Sequence, residues 1–186
     1  MKRFDYVLET TAQTLLDVDK TVHGKTLNNK ATYIEDYSHI GPVLVYCDDS
    51  LHEELKNRNL PLLVVDNNVN HNILRQLDQP TNINQYSVVV AKDKSAMRGL
   101  DYRSVKVKMA LFVAKSFENK REAFQGFNRV GRFGDTCCRI GFDDVPVIDQ
   151  KAATSHKLKL FKFVASMQKN PVTMKEIKIR EATAPS

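Results

Sequence analysis

The segment Gln125-Gly126-Phe127-Asn128-Arg129-Val130-Gly131-Arg132-Phe133-Gly134-Asp135 carries two arginines three residues apart. On a helix, Arg129 and Arg132 would project from one face. Two fixed guanidiniums at one edge suit a polyphosphate held by another surface, because each offers a planar fork of donors. The same pair, taken alone, is better read as partners for surface acids. A second stretch, Ala91-Lys92-Asp93-Lys94-Ser95-Ala96-Met97-Arg98-Gly99-Leu100-Asp101, ends 24 residues before Gln125. It leaves an apolar run and enters a short helix.

The elements that must position these groups follow a repeating pattern. VLVYC (43–47), LLVVD (62–66), YSVVVA (86–91), VKVKMALFVA (105–114) and CCRIGF (137–142) are short apolar runs of the kind a parallel strand covered on both faces needs. Helical patterns fall between and after them, at 51–58, 70–78, 94–101 (a turn and short helix), 120–131 and 152–167. Strand then helix, five times over, predicts an α/β fold: a three-layer parallel sheet of about five to six strands with helices on both faces. Ligands in such folds sit at the carboxyl ends of the strands. Here those ends carry Cys47-Asp48-Asp49, Asp66-Asn67-Asn68, Lys92-Asp93-Lys94 and Lys115-Ser116. Ahead of the repeat, residues 4–18 read as an amphipathic helix and the Asn-rich residues 19–39 as a polar loop with short turns. Three regions result: 1–40, 41–168, and a basic tail over 169–186.

Other chemistry-bearing residues have plainer readings. Gly24-Lys25-Thr26 lacks the glycine a phosphate loop needs five residues earlier, where Asp19 stands. It is also expected to follow a helix and enter a loop, the reverse of what a phosphate loop requires. Asp48-Asp49 could hold Mg²⁺, but a helix N-cap and loop role is the preferred reading. Asp143-Asp144 suits a turn cap. His52, His71 and His156 are expected to be solvated on helices. Cys137 and Cys138 are adjacent in a strand, so one faces each side of the sheet, as buried and inert thiols. Phe161 and Phe163 could stack on bases, but their helical setting favours packing.

Taken together, the two segments resemble motifs V and VI in the second RecA-like lobe of superfamily-2 helicases and translocases. Arg98-Gly99-Leu100-Asp101 resembles the R-G-L-D of motif V in DEAD-box proteins. Gln125, Arg129, Arg132 and Gly134 match the Swi/Snf-type motif VI, Q-x-x-x-R-x-x-R-x-G-Q, and the same stretch partly fits the DEAD-box H-R-x-G-R-x-G-R. VLVYC stands where motif IV begins. The resemblance covers roughly residues 41–168. It implies that Gly99 and Asp101 line a nucleotide cleft, with Asp101 near the ribose and Gln125 orienting the network. Arg129 and Arg132 would be arginine fingers reaching the γ-phosphate; such a finger is worth about 10³–10⁵ in rate. Lys92, Lys94 and Ser95 would touch a nucleic-acid backbone. The family usually has Thr or Ser near Lys92 and Asp93. Asp93 would repel a phosphate, and Asp135 replaces the third arginine of the DEAD-box form. The phosphate loop and D-E-x-x motif of a first lobe do not occur in this sequence. ATP and Mg²⁺ would therefore be used only with a first RecA-like lobe, supplied in cis or in trans.

Charge and composition bound these readings. The 186 residues have a hydrophobic fraction of 42%, and a net charge of +6 that is unevenly placed. Residues 151–180 hold eight Lys/Arg against Glu176 alone, a local charge of +7, leaving about −1 elsewhere. Such a segment suits DNA, RNA or an acidic partner, or simply a solvated helix face. No run approaches the ~18 apolar residues of a membrane span, and three Cys do not make a disulfide framework. No zinc-ligand spacing occurs, so no metal site is expected, and an intracellular setting, nuclear or cytoplasmic, is expected. Besides the motor lobe, two alternatives stay open. One is a non-catalytic nucleic-acid- or protein-binding module, and the other an unrelated flavodoxin-like or phosphate-binding α/β protein.

Overall fold

A computed structural model describes residues 17–66, 77–98, 101–132, 134–149, 151 and 162–163. Among the described residues six strands form one sheet: β1 (Lys20–Val22), β2 (Val43–Tyr46), β3 (Leu62–Val65), β4 (Val88–Ala91), β5 (Met109–Val113) and β6 (Cys137–Phe142). Three helices are described: α1 (Leu27–Ser38), α2 (Asp49–Asn57) and α3 (Lys120–Phe127). The sheet order is β1-β6-β5-β2-β4-β3 and every pairing is parallel. The protein is thus an α/β fold with a wholly parallel sheet, consistent with a RecA-like layout.

Residue type explains the layering. β2, β4 and β5 are buried at every position, as strands with helices on both faces must be. Alternate residues then serve opposite layers. Leu44, Tyr46, Val89, Leu111 and Val113 pack with Ala123 and Phe127 of α3. Val43, Val45, Val90, Ala110 and Phe112 pack with Ala31 and Ile34 of α1 and Leu51 and Leu55 of α2. Each helix begins on a side-chain cap that satisfies an otherwise orphaned amide. Thr26 Oγ1 accepts from the Asn29 amide at 3.1 Å, Asp48 Oδ1 from Leu51 at 3.0 Å and Asn119 Oδ1 from Glu122 at 2.9 Å. Of the two readings of Asp48, the helix cap is the one observed.

Several expectations are corrected. Residues 19–39 are not a loop: they supply strand β1, paired to β6, and the three-turn helix α1. The polar composition hid this helix because part of its inner face is polar. Lys30 is buried, its ammonium 2.7 Å from Asp144 and 5.6 Å from the Phe142 ring centre. The strand expected over 105–114 begins only at Met109, and Val105 is exposed. The helix expected over 120–131 stops at Phe127. His52 is buried on α2 at 4% exposure, not solvated. The helices expected at 4–18, 70–78 and 152–167, with His71, His156 and Phe161, lie wholly or mainly outside the described residues. Residues 150–186 form a second compact unit, in which the described residues Lys151, Lys162 and Phe163 are helical and exposed. Among the described residues, no helix is long and apolar enough to cross a membrane.

Candidate functional site

The connection leaving β2 runs toward β3 at one side of the sheet and the one leaving its neighbour β5 runs toward β6 at the other, so the switch in strand order lies at the carboxyl end of β2, beside β5. That end is packed rather than open. The Tyr46 ring stacks on Phe117 at 4.5 Å, and the Lys115 ammonium sits 5.6 Å over Tyr46 while donating to the Lys92 carbonyl at 2.9 Å. Burial first, then Glu122, Glu118 and Asp93, pushes the Tyr46 phenol up to about 12. Cys47, fully buried beside it, has its thiol pushed up to about 12 by burial foremost, with the Asp48 charge adding to it.

The basic residues expected to meet nucleic acid leave this edge with acidic partners. Lys92 lies 3.1 Å from Asp49, whose carboxyl the ammonium's hydrogen bond and charge hold below the usual range. Lys94 lies 3.4 Å from both Glu118 and Glu122, and hydrogen bonding and attraction to Glu122 raise its pKa. Ser95 donates to Asp93 at 2.5 Å, and the Ala96 amide donates to the same oxygen at 2.9 Å. Asp93 is therefore the cap of its own turn, held below the usual carboxylate range by those bonds, Ser95 first. Arg98 meets Glu122 at 3.1 Å. Glu122 is only 8% exposed and is the acid that ties the 94–98 turn to α3. Arg98, Asn119, Arg121, Glu122 and Gln125 line a shallow cleft of about 350 Å³ beside it.

Arg129 and Arg132 are not on one helix face. α3 ends at its C-cap Asn128, the Arg129 amide bonds back three residues to Gly126, and Gly131 turns the chain with φ +69. The helix stops because Gly126, Asn128 and Gly131 all favour leaving it. Nor is the pair at the carboxyl edge. α3 descends from the carboxyl end of β5, and the loop after it meets the start of β6, where the Met109 amide donates to the Thr136 carbonyl at 3.1 Å. The two arginines lie on the α3 side of the sheet, toward the amino ends of the strands.

There the two sequence segments are knitted together. Arg129 Nε donates to the Met97 carbonyl at 3.2 Å, and the Tyr102 amide donates to the Arg129 carbonyl at 3.0 Å. The Tyr102 hydroxyl donates to the Ala96 carbonyl at 2.5 Å, and burial raises its pKa. Arg132 Nη1 meets Asp101 Oδ1 at 2.5 Å, both side chains being 42% exposed. Beside them, Arg103 holds Asp135 through two bonds, at 2.6 and 3.0 Å, and the Asp135 side chain is only 4% exposed. Sequence reasoning missed Arg103: the two partners stand 32 residues apart, and no local pattern joins them. The structure thus brings together Asp101, Arg129 and Arg132, and sets Gln125 apart in the cleft with Arg98. Gly99 lies outside the described residues.

Gly24-Lys25-Thr26 has a different setting from the one expected. It follows strand β1 and leads into α1, the order of a phosphate loop. An acid nevertheless occupies its mouth: Asp143 accepts from the Gly24 amide at 3.2 Å and sits 2.7 Å from His23 Nδ1. Those two bonds, the His23 contact foremost, hold Asp143 below the usual carboxylate range, and a phosphate would meet like charge. Cys137 and Cys138 face opposite layers, and burial pushes the Cys137 thiol up to about 12. Among the described residues no three His, Cys, Asp or Glu side chains converge to hold a metal ion. No protein-family model matches the chain, and no curated protein matches it either.

Proposed function

We propose that the chain acts as the second motor lobe of a nucleic-acid-dependent ATPase of the superfamily-2 helicase or translocase kind. The observation that carries this reading is the junction of Asp101, Arg129 and Arg132, which unites the two motif-like segments beside a wholly parallel sheet. A carboxylate and two guanidiniums fit a nucleoside triphosphate as a donor set: the guanidiniums complement phosphate oxygens, and a carboxylate can accept from a ribose hydroxyl. Arg132 is the more open of the two guanidiniums, while Arg129 commits its Nε to the Met97 carbonyl. Arg132 is thus the group that reaches a γ-phosphate, and Arg129 braces the loop while offering its remaining donors. Mg²⁺ and the phosphate loop belong to a first lobe. DNA or RNA would run along the 92–95 turn.

The test combines the chain with a first RecA-like lobe and measures ATP hydrolysis with and without DNA or RNA. Arg132→Ala is expected to lower the stimulated rate by about 10³ or more. An unchanged rate for both Arg132→Ala and Arg129→Ala refutes the assignment.

A second reading, a non-catalytic nucleic-acid- or protein-binding module, is favoured by one observation: Lys92, Lys94 and Arg98 all carry acidic partners. It expects nucleic acid to bind mainly through residues 151–180. Affinity should then fall steeply with salt as counterions are released, with no ATPase in any combination of lobes.

A further inference from the structure

The loop from Arg129 to Asp135 is held by two ion pairs of unlike character. Arg103–Asp135 is a two-bond fork onto a carboxylate that is 4% exposed. Arg132–Asp101 is a 2.5 Å contact between groups each 42% exposed. A forked pair on a buried acid is hard to exchange, since taking the arginine away strands the carboxylate out of water. A contact between two exposed groups is worth little, since water and salt compete for both. A polyphosphate offers a guanidinium several oxygens and more charge than one carboxylate. It can therefore displace Asp101 from Arg132 while leaving Arg103–Asp135 in place.

We infer that Asp101 is an internal gate for Arg132: in the free lobe it holds the guanidinium, a polyphosphate anion takes it over, and Arg103–Asp135 is the post that keeps the loop in position meanwhile. The inference rests on the reading above only for the source of the anion, a nucleoside triphosphate presented by a partner lobe. The arm, the gate and the post are this chain's own residues. Asp101 then has two roles in sequence. It masks Arg132 when no ligand is present, and is freed to accept a hydrogen bond when the phosphate arrives.

The test needs no partner lobe and no catalysis. The 186-residue chain is titrated with inorganic tripolyphosphate at low salt, followed by ³¹P NMR. Asp101→Asn is expected to tighten binding by about two- to fivefold, the size of an exposed ion pair. Arg132→Ala should weaken binding, and Asp101→Asn in the Arg132→Ala background should give no tightening. Glu53→Gln, an equal change of net charge at an exposed site paired with Lys56, should leave binding unchanged. Asp135→Asn should weaken binding despite adding positive charge. Should it fail to fold, Arg103→Lys keeps the charge, loses the fork and should weaken binding likewise. The gate is overturned if Asp101→Asn binds as wild type does, or if its gain persists without Arg132 or is matched by Glu53→Gln. The post is overturned if folded Asp135→Asn and Arg103→Lys both bind as tightly as wild type. Should these bindings come out as expected while the two-lobe ATPase stays silent, the motor reading fails and the gate stands.

Discussion

Gly126→Ala reverses a general rule in a way the packing makes measurable. In an exposed helix interior this substitution stabilises by about 1 kcal/mol, through backbone entropy and better propensity. Gly126 is buried in α3, and a Cβ built there would lie 2.8 Å from both Cε1 and Cζ of Phe117 and 3.3 Å from Met97 Cε. The Phe117 ring has little freedom to yield. It is stacked on Tyr46 at 4.5 Å and edge-on to Phe127 at 6.0 Å. Its backbone is pinned at both ends, the amide donating to the Val147 carbonyl and the carbonyl accepting from the Asp149 amide, each at 2.8 Å. Overpacking of this kind costs about 1–3 kcal/mol. Set against the propensity gain, the usual stabilisation disappears and a net loss of up to about 2 kcal/mol is expected, or a fall in Tm of up to about 8 °C for a chain of this size. Urea denaturation followed by circular dichroism measures it. The Phe117→Leu background supplies the internal check: with the ring gone, Gly126→Ala should become neutral or stabilising, a coupling of at least about 1 kcal/mol. Stabilisation by Gly126→Ala in the wild-type background would refute the packing described for Phe117.

Phe112 is fully buried, edge-on to Tyr37 at 5.3 Å and stacked on Phe142 at 5.7 Å. Phe112→Ala is expected to cost about 3–5 kcal/mol in the same denaturation assay. Burial above all, with Lys56 and Lys92 adding to it against Glu53 and Asp49, lowers the His52 pKa below its ordinary 6.5. The folded protein therefore keeps His52 neutral where the unfolded chain takes up a proton. This contribution to stability is whole above about pH 6.5 and is lost progressively as pH falls toward the lowered folded value. Tm measured from pH 8 to pH 5 should fall less steeply for His52→Leu than for wild type; parallel curves would contradict it. Cys47, with its thiol pushed up to about 12 and no exposure, should resist a thiol reagent at pH 8 in the folded protein and react once urea is added. Mass spectrometry of the labelled peptide reads this directly.

The sequence by itself determined the layers. VLVY, VVVA and MALFV are apolar at consecutive positions, and such runs have no stable place except between two helical layers, so β2, β4 and β5 were legible as parallel strands. Asp48 ahead of α2 was legible for the same local reason, since a capping carboxylate needs only the amide three residues on. Strand β1 and helix α1 were not legible. Their inner surface includes Lys30 and Ser38, which are buried only because Asp144 and Gln85, far along the chain, come to meet them. The arginine pair was visible as a spacing, but its placement was not. Where α3 stops and which acids receive Arg132, Arg103 and Arg98 depend on backbone paths that bring residues 24 to 32 positions apart into contact. A periodicity of two or of three and a half residues reports which face of an element is buried. It holds no record of which neighbour will stand opposite, and that choice was made by the order of the strands.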